Sequence, residues 1–242
     1  MTQRNSQDAG RPRNTVRQNT WEWIKSIAVA LVIWVVVRSL LVEAFRIPSG
    51  SMENTLLIGD FLFVNKTLYG AEIPLSSKRL PAIREPKRLD IVVFRSVTED
   101  GMNVVKRVVG MPGDTISMKN NVLHIDGKPQ EEPYVIRTDP LTDQEDALFR
   151  PWQSRYLVPG VSPARYRPTL KNWGPLIIPP DSFMVMGDNR DNSLDSRYWG
   201  FLGRDRIRGR PLVIYYSYNR DGVWPLPFVT AIRWGRIFSS PH

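Results

Sequence analysis

Three short segments hold the side chains that could do chemistry. Ile47-Pro48-Ser49-Gly50-Ser51-Met52 sets two serines around a glycine, which lets hydroxyls and backbone come close to a ligand. Such clusters also make ordinary turns, and the spacing does not fit the GxSxG of a nucleophile elbow. The second segment, Val104 to Asp114, places Lys106 and Arg107 side by side in an apolar run. Strand neighbours point to opposite faces, so one of the two is expected to face inward. A lysine removed from water is disfavoured in its charged form, its pKa falls, and it can act as a neutral base. The plainer reading, preferred on this segment alone, is a pair of charges guarding an edge strand.

The third segment, Gly187 to Gly200, crowds Asp188, Asn189, Arg190, Asp191, Asn192, Ser193, Asp195, Ser196 and Arg197 behind an apolar run. That density implies a rigid, hydrogen-bonded loop, with Asp195–Arg197 as a structural pair. The alternation of Asp191, Ser193 and Asp195 brings a calcium loop to mind. Its glycine and glutamate positions are filled by Ser196 and Leu202, so the EF-hand reading fails.

Composition narrows the choice further. There is no cysteine, and the only histidines are His124 and His242. A thiolate nucleophile, a structural disulfide, a three-histidine metal site and an HExxH helix are all excluded. Ser–His catalysis would have to use one of those two histidines. No metal and no cofactor is indicated. The net charge of +9 invites a nucleic-acid partner, but a basic chain at a membrane also meets anionic lipid. Lipid is preferred and nucleic acid is not expected, because of the segment that starts at Trp21.

Ser26–Val37 is uncharged and rich in Val, Ile, Ala, Leu and Trp. It is too short to span alone, since ~20 residues are needed. Lys25 and Arg38 at its edges can snorkel, so Trp23–Val42 reaches spanning length with Trp21 and Trp23 as interfacial anchors. Arg4, Arg11, Arg13, Arg17 and Lys25 precede it, which places the N-terminus in the cytoplasm and the rest across a plasma (inner) membrane. A cleaved leader ending at Val42-Glu43-Ala44 is the rival reading. Glu43 and Arg38 interrupt that approach, and the leader would be unusually long.

Beyond residue 44 there is no long amphipathic helix. Runs rich in β-branched and aromatic residues recur instead, at Asp60–Gly70, Leu89–Ser96, Asn103–Gly110, Asp114–Met118, Asn121–Gly127, Asp181–Gly187 and Arg210–Asn219. Pro112-Gly113-Asp114, Asn120-Asn121 and Asp126-Gly127 mark turns between them. The expected fold is mainly β, with coiled antiparallel sheets or a partly open barrel, preceded by one transmembrane helix. The expected divisions are a flexible tail (1–20), the anchor (21–43), a catalytic core in two parts (44–118 and 181–242) and an inserted, loop-rich subdomain (119–180).

In this order, and behind an N-terminal anchor, the three segments resemble the signature boxes of bacterial type I signal peptidases, serine peptidases with a Ser–Lys dyad. The resemblance covers most of 40–118 and 181–216 and is weak over 119–180. It implies a membrane-bound endopeptidase that removes leader peptides from secretory preproteins after small-x-small sites. It further implies Ser51 as nucleophile and Lys106 as general base. The Ser49 hydroxyl and the Ser51 N–H would form the oxyanion hole, and Ser193 would orient the Lys106 amine. Asp195 and Arg197 would brace that loop, and Gly187 would be the side-chain-free residue near the lysine. The implied substrate-pocket walls are Phe45, Ile47, Met52, Leu56, Val104 and Val105, each of which could equally be core. Val104 stands where some relatives have an aromatic residue, and Asn54 where many have proline. The alternatives are a Ser–Lys peptidase devoted to one partner or to itself, and a non-catalytic, membrane-tethered basic binding protein. The C-terminal stretch with Trp224, Trp234 and Phe238 suits either interfacial insertion or a sheet cap.

Overall fold

A computed structural model describes residues 14–73, 76, 78–139, 143, 145, 147–222 and 225–241. Most of the expected tail, together with Trp224 and His242, lies outside the described residues. Helix α1 (Asn14–Val36) runs into a π-helical turn, Val37–Leu41, and then directly into strand β1 (Val42–Arg46). The Lys66 N–H closes that junction on the Leu41 carbonyl at 3.0 Å. Among the described residues, no helix is long and apolar enough to cross a membrane. The spanning anchor expected over 21–43 is therefore not shown by this helix. Charges at Lys25 and Arg38 bracket a short apolar run, and the chain turns extended at Val42.

The body is mainly β, as expected, in two antiparallel sheets. In chain order the strands are β2 (Asp60–Asn65), β3 (Ile91–Arg95), β4 (Asn103–Gly110), β5 (Thr115–Lys119), β6 (Val122–Ile125), β7 (Lys128–Pro129), β8 (Trp173–Ile177), β9 (Ser182–Met186), β10 (Leu202–Gly203) and β11 (Ile207–Ser217). The larger sheet has the order β1-β2-β11-β3-β4-β9-β10, and the smaller β7-β6-β5-β8. The smaller sheet starts at Thr115, just past the Pro112-Gly113 turn, and among the described residues the irregular stretch behind its hairpins holds one short helix, α2 (Phe149–Gln153), before β8.

The larger sheet curls because its strands carry extra residues. β11 pairs β3 through Ile207 and Gly209, then β2 from Arg210 to Ser217, with register shifts between Ile207 and Gly209, Pro211 and Val213, and Ile214 and Tyr216. A further shift falls between Val108 and Gly110 where β4 meets β9. Each such bulge bends its strand and increases the twist. The edge strand β1 and the inner strand β4 then face each other across a cleft.

β3 lies between two apolar clusters, which explains its unbroken Ile-Val-Val-Phe run. Ile91 and Val93 join Ile47, Met52, Leu56, Leu62, Val64 and Ile214. Val92 and Phe94 join Tyr69, Val108, Phe183, Val185, Leu202 and Ile207. A third cluster, built around Ile116, Met118, Trp173, Leu176, Met184 and Met186, ties the two sheets together. β4 is central too, flanked by β3 and β9. The edge-guard reading of its two charges therefore fails.

Candidate active site

Ser51 sits in a 3-10 turn, Gly50–Met52, which starts from extended Ser49. Main-chain bonds fix this turn to the end of β1 and the start of β2: Ile47 N–H to the Asp60 carbonyl at 2.9 Å and Gly59 N–H to the Ile47 carbonyl at 3.1 Å. Leu56 N–H then caps Met52 O at 2.7 Å, which turns Leu56 inward. The turn brings Ser51 against β4, where Lys106 Nζ donates to Ser51 Oγ at 2.6 Å. Lys106 is 2% exposed. Burial pushes its ammonium down to about 8; Asp195 and Asp188 pull the other way, and Arg197 adds to the depression. Ser49 Oγ stands 3.5 Å from Ser51 Oγ, on the exposed rim.

Arg107 is buried as deeply as Lys106, so both faces of β4 hold a cation, where one was expected. The guanidinium is matched by Asp188, at 2.8 and 2.6 Å, and Asp188 also accepts Thr55 Oγ1 at 2.6 Å. A buried charge pair of this kind is tolerated when the geometry is close and the other lone pairs are taken.

The loop after β9 is a folded network. Asp195 caps the short helix α3 (Ser196–Trp199), pairs with Arg197 Nε and Nη2 at 2.8 and 2.9 Å, and accepts the Gly187 N–H at 3.0 Å. Burial alone would raise its pKa, but the Arg197 charge and these hydrogen bonds outweigh it and hold the carboxyl below the usual range. Gly187 is packed so tightly that a Cβ would collide with the Ser51 carbonyl and Ser193 Oγ. Asn189 N–H donates to the Ser51 carbonyl at 3.1 Å, which joins this loop to the serine turn. Ser193 is brought beside Gly187 and is buried; its hydroxyl helps to lower the Asp195 pKa and is not bonded to Lys106.

A cleft opens beside Ser51, with a volume of about 80 Å³. Of the six residues named as pocket walls, Phe45, Ile47, Met52, Val104 and Val105 line it, together with Arg46, Pro48, Met102 and Asn103. Leu56 does not. It is wholly buried behind Met52, because the capped turn directs it into the core. Sequence reasoning also missed Asp188, Thr55, Glu132 and Tyr134. Asp188 stood within the third segment and could have been found by asking what neutralises an inward Arg107.

The chain resembles known proteins along most of its length. Residues 20–216 match the family model described as signal peptidase, peptidase S26. A protein named signal peptidase I from Pseudomonas aeruginosa is 41% identical over 227 residues, covering 85% of this chain and 74% of its own. Another so named, from Pseudomonas fluorescens, is 35% identical over 228 residues with the same coverages, 85% and 74%. A crystal structure of a signal peptidase I from Enterococcus faecalis is 29% identical, covers 53% of this chain and 98% of its own, and has a TM-score of 0.36, too low to bear on the fold.

Proposed function

The chain belongs to the signal peptidase family, peptidase S26, a peptidase that removes signal peptides, and from that premise we propose how its own residues do so. Ser51 is the nucleophile and Lys106 the general base. The observation that carries this reading is the 2.6 Å contact between Lys106 Nζ and Ser51 Oγ, at a lysine whose burial brings its pKa to about 8. A neutral amine there takes the Ser51 proton as Oγ attacks the carbonyl carbon of the scissile bond. The oxyanion that forms is held by the Ser49 hydroxyl and the Ser51 N–H. The new ammonium protonates the leaving amine and frees the mature chain. Water then attacks the acyl ester, giving a proton to Lys106, and the leader leaves as a carboxylic acid with Ser51 regenerated.

Asp195, Arg197 and Gly187 fix the loop behind the lysine, and Ser193, buried beside Gly187, orients the amine. The small cleft, walled by Phe45, Ile47, Met52, Val104 and Val105, takes the alanine-sized residues of a small-x-small site. The preprotein segment lies between β1 and β4, adding strand-like hydrogen bonds. A tether to the inner membrane, with the N-terminus cytoplasmic and the body outside, is the setting this site suits. It is supported by α1, on which Ile24, Ile27, Leu31, Val32, Ile33 and Trp34 are each more than half exposed, and by the short chain between Leu41 and Ser51.

The test uses full-length protein in detergent and lipid with a preprotein carrying an Ala-x-Ala site. Wild type should cut after the second alanine, while Ser51→Ala and Lys106→Ala should not. Ser49→Ala should retain roughly 10⁻² to 10⁻³ of the rate, as loss of one oxyanion donor typically does. Cleavage by Ser51→Ala at the wild-type rate would sink the reading.

A further inference from the structure

Neither Ser51 nor Lys106 is held in place by its own strand or turn alone. Arg190 is 2% exposed, and its guanidinium meets both oxygens of Glu132 at 2.8 and 2.5 Å. Arg190 Nε also donates to the Gly187 carbonyl at 3.2 Å. Two main-chain bonds join the same neighbourhood: Ile136 N–H to the Asp188 carbonyl at 2.9 Å, and Arg190 N–H to the Ile136 carbonyl at 3.1 Å. The Tyr134 ring lies 4.1 Å from the Arg107 guanidinium, and its carbonyl accepts from Asn54 Nδ2 at 3.0 Å. The segment 132–136 therefore touches Asn54, three residues past Ser51, the strand that carries Lys106 and the loop that carries Gly187 and Ser193.

We propose that residues 132–136 form a clamp that sets the Ser51–Lys106 separation, with Glu132 a positioning residue acting through Arg190. The inference rests on the Ser51–Lys106 reading above. Asn189, next to Arg190, donates its N–H to the Ser51 carbonyl, so the backbone that Arg190 anchors also holds the nucleophile. A buried guanidinium that loses its carboxylate is driven toward water, and the turn at 187–190 moves with it. Displacing reacting groups by about 1 Å is worth on the order of 10² in rate. The charges facing Lys106 are Asp195 and Asp188, which favour its cation, and Arg197, which opposes it. The clamp acts on Lys106 through burial: loosening it admits water and lifts the lysine toward its ordinary pKa.

The experiment compares wild type, Glu132→Gln and Tyr134→Leu as full chains. Precursor cleavage gives kcat and KM, the Lys106 Cε shift followed against pH by NMR gives its titration, and a thermal melt gives stability. Glu132→Gln should lower kcat by about 10- to 100-fold with KM changed less than about threefold. Its Lys106 midpoint should move up, so that part of the lost rate returns at higher pH. Tyr134→Leu should move kcat and the Lys106 midpoint the same way by less. Leu123→Ala, which opens the core of the smaller sheet, should lower the melt and leave kcat and the titration alone. If Glu132→Gln behaves like Leu123→Ala, the clamp is wrong. If Glu132→Gln does not fold, Tyr134→Leu decides between the same two outcomes. The titration needs no substrate: a Lys106 midpoint that moves with Glu132 in a protein that cuts no precursor would overturn the peptidase reading and leave the clamp standing.

Discussion

At the level of single residues, the proposed reaction turns on the charge state of Lys106. With its pKa at about 8, only about a tenth of the enzyme holds the neutral amine at pH 7. kcat/KM should therefore rise about tenfold per unit of pH below 8 and level off above it. Lys106→Arg keeps a cation that never deprotonates in this range and should be inactive at every pH. A profile that is flat from pH 6 to 9 would contradict a lysine base. Stability follows the same titration with its own sign. The folded pKa lies below the unfolded one, so between about 8 and 10.5 the unfolded chain binds the extra proton, and stability rises with pH across that window. Denaturant midpoints measured at pH 8 and pH 10 check the direction.

The elements around the site show what could and could not be read from the sequence. The strand run Ile91–Phe94 was legible because it sits in the middle of the curled sheet with both faces covered, which requires an unbroken apolar run; Val104–Val109 shares that position but is interrupted by the buried Lys106 and Arg107. The pairing of Lys106 with the serine turn needed a strand order that no local pattern encodes. Glu132 was illegible for a similar reason. Its partner Arg190 is 58 residues away, and its surroundings read as an irregular, proline-rich stretch. Leu56 was misjudged because a capped turn, invisible in composition, rotates it inward. Gly187 belongs to this scale as well, since it ends β9 where loop, serine turn and Ser193 meet. Gly187→Ala should push Ser51 and Ser193 apart from the lysine, lowering kcat by on the order of 10²-fold, with a melt lowered by no more than overpacking typically allows, ~1–3 kcal/mol. Retention of full activity would show that the Ser51 carbonyl is free to move.

Over the whole molecule, two stretches of exposed apolar side chains bear on how the enzyme meets a surface: one along α1, and one on the C-terminal stretch that crosses the end of β11. Phe238 N–H donates to the Ile214 carbonyl at 2.7 Å and Ile214 N–H to the Ser239 carbonyl at 2.9 Å, which anchors that stretch on the sheet by its backbone. Its side chains are left outward, with Leu226 60%, Trp234 73% and Phe238 81% exposed. The cap reading of this stretch thus applies to its backbone, while the rings remain available to an interface. Aromatic residues beside Arg233 and Arg236, in a chain of net charge +9, have the composition of a face that rests on anionic lipid. Burying roughly half of one such ring stabilises binding by about 1–2 kcal/mol, near tenfold in affinity. Trp234→Ala and Phe238→Ala should each weaken co-sedimentation with anionic vesicles by about that factor. Cleavage of a membrane-inserted precursor should fall with it, and cleavage of a short soluble peptide should be unchanged. Raising salt should weaken the electrostatic share of binding while leaving the ring contribution in place. Equal vesicle binding by wild type and both variants would place the contact elsewhere and leave α1 alone to hold the enzyme beside its substrate.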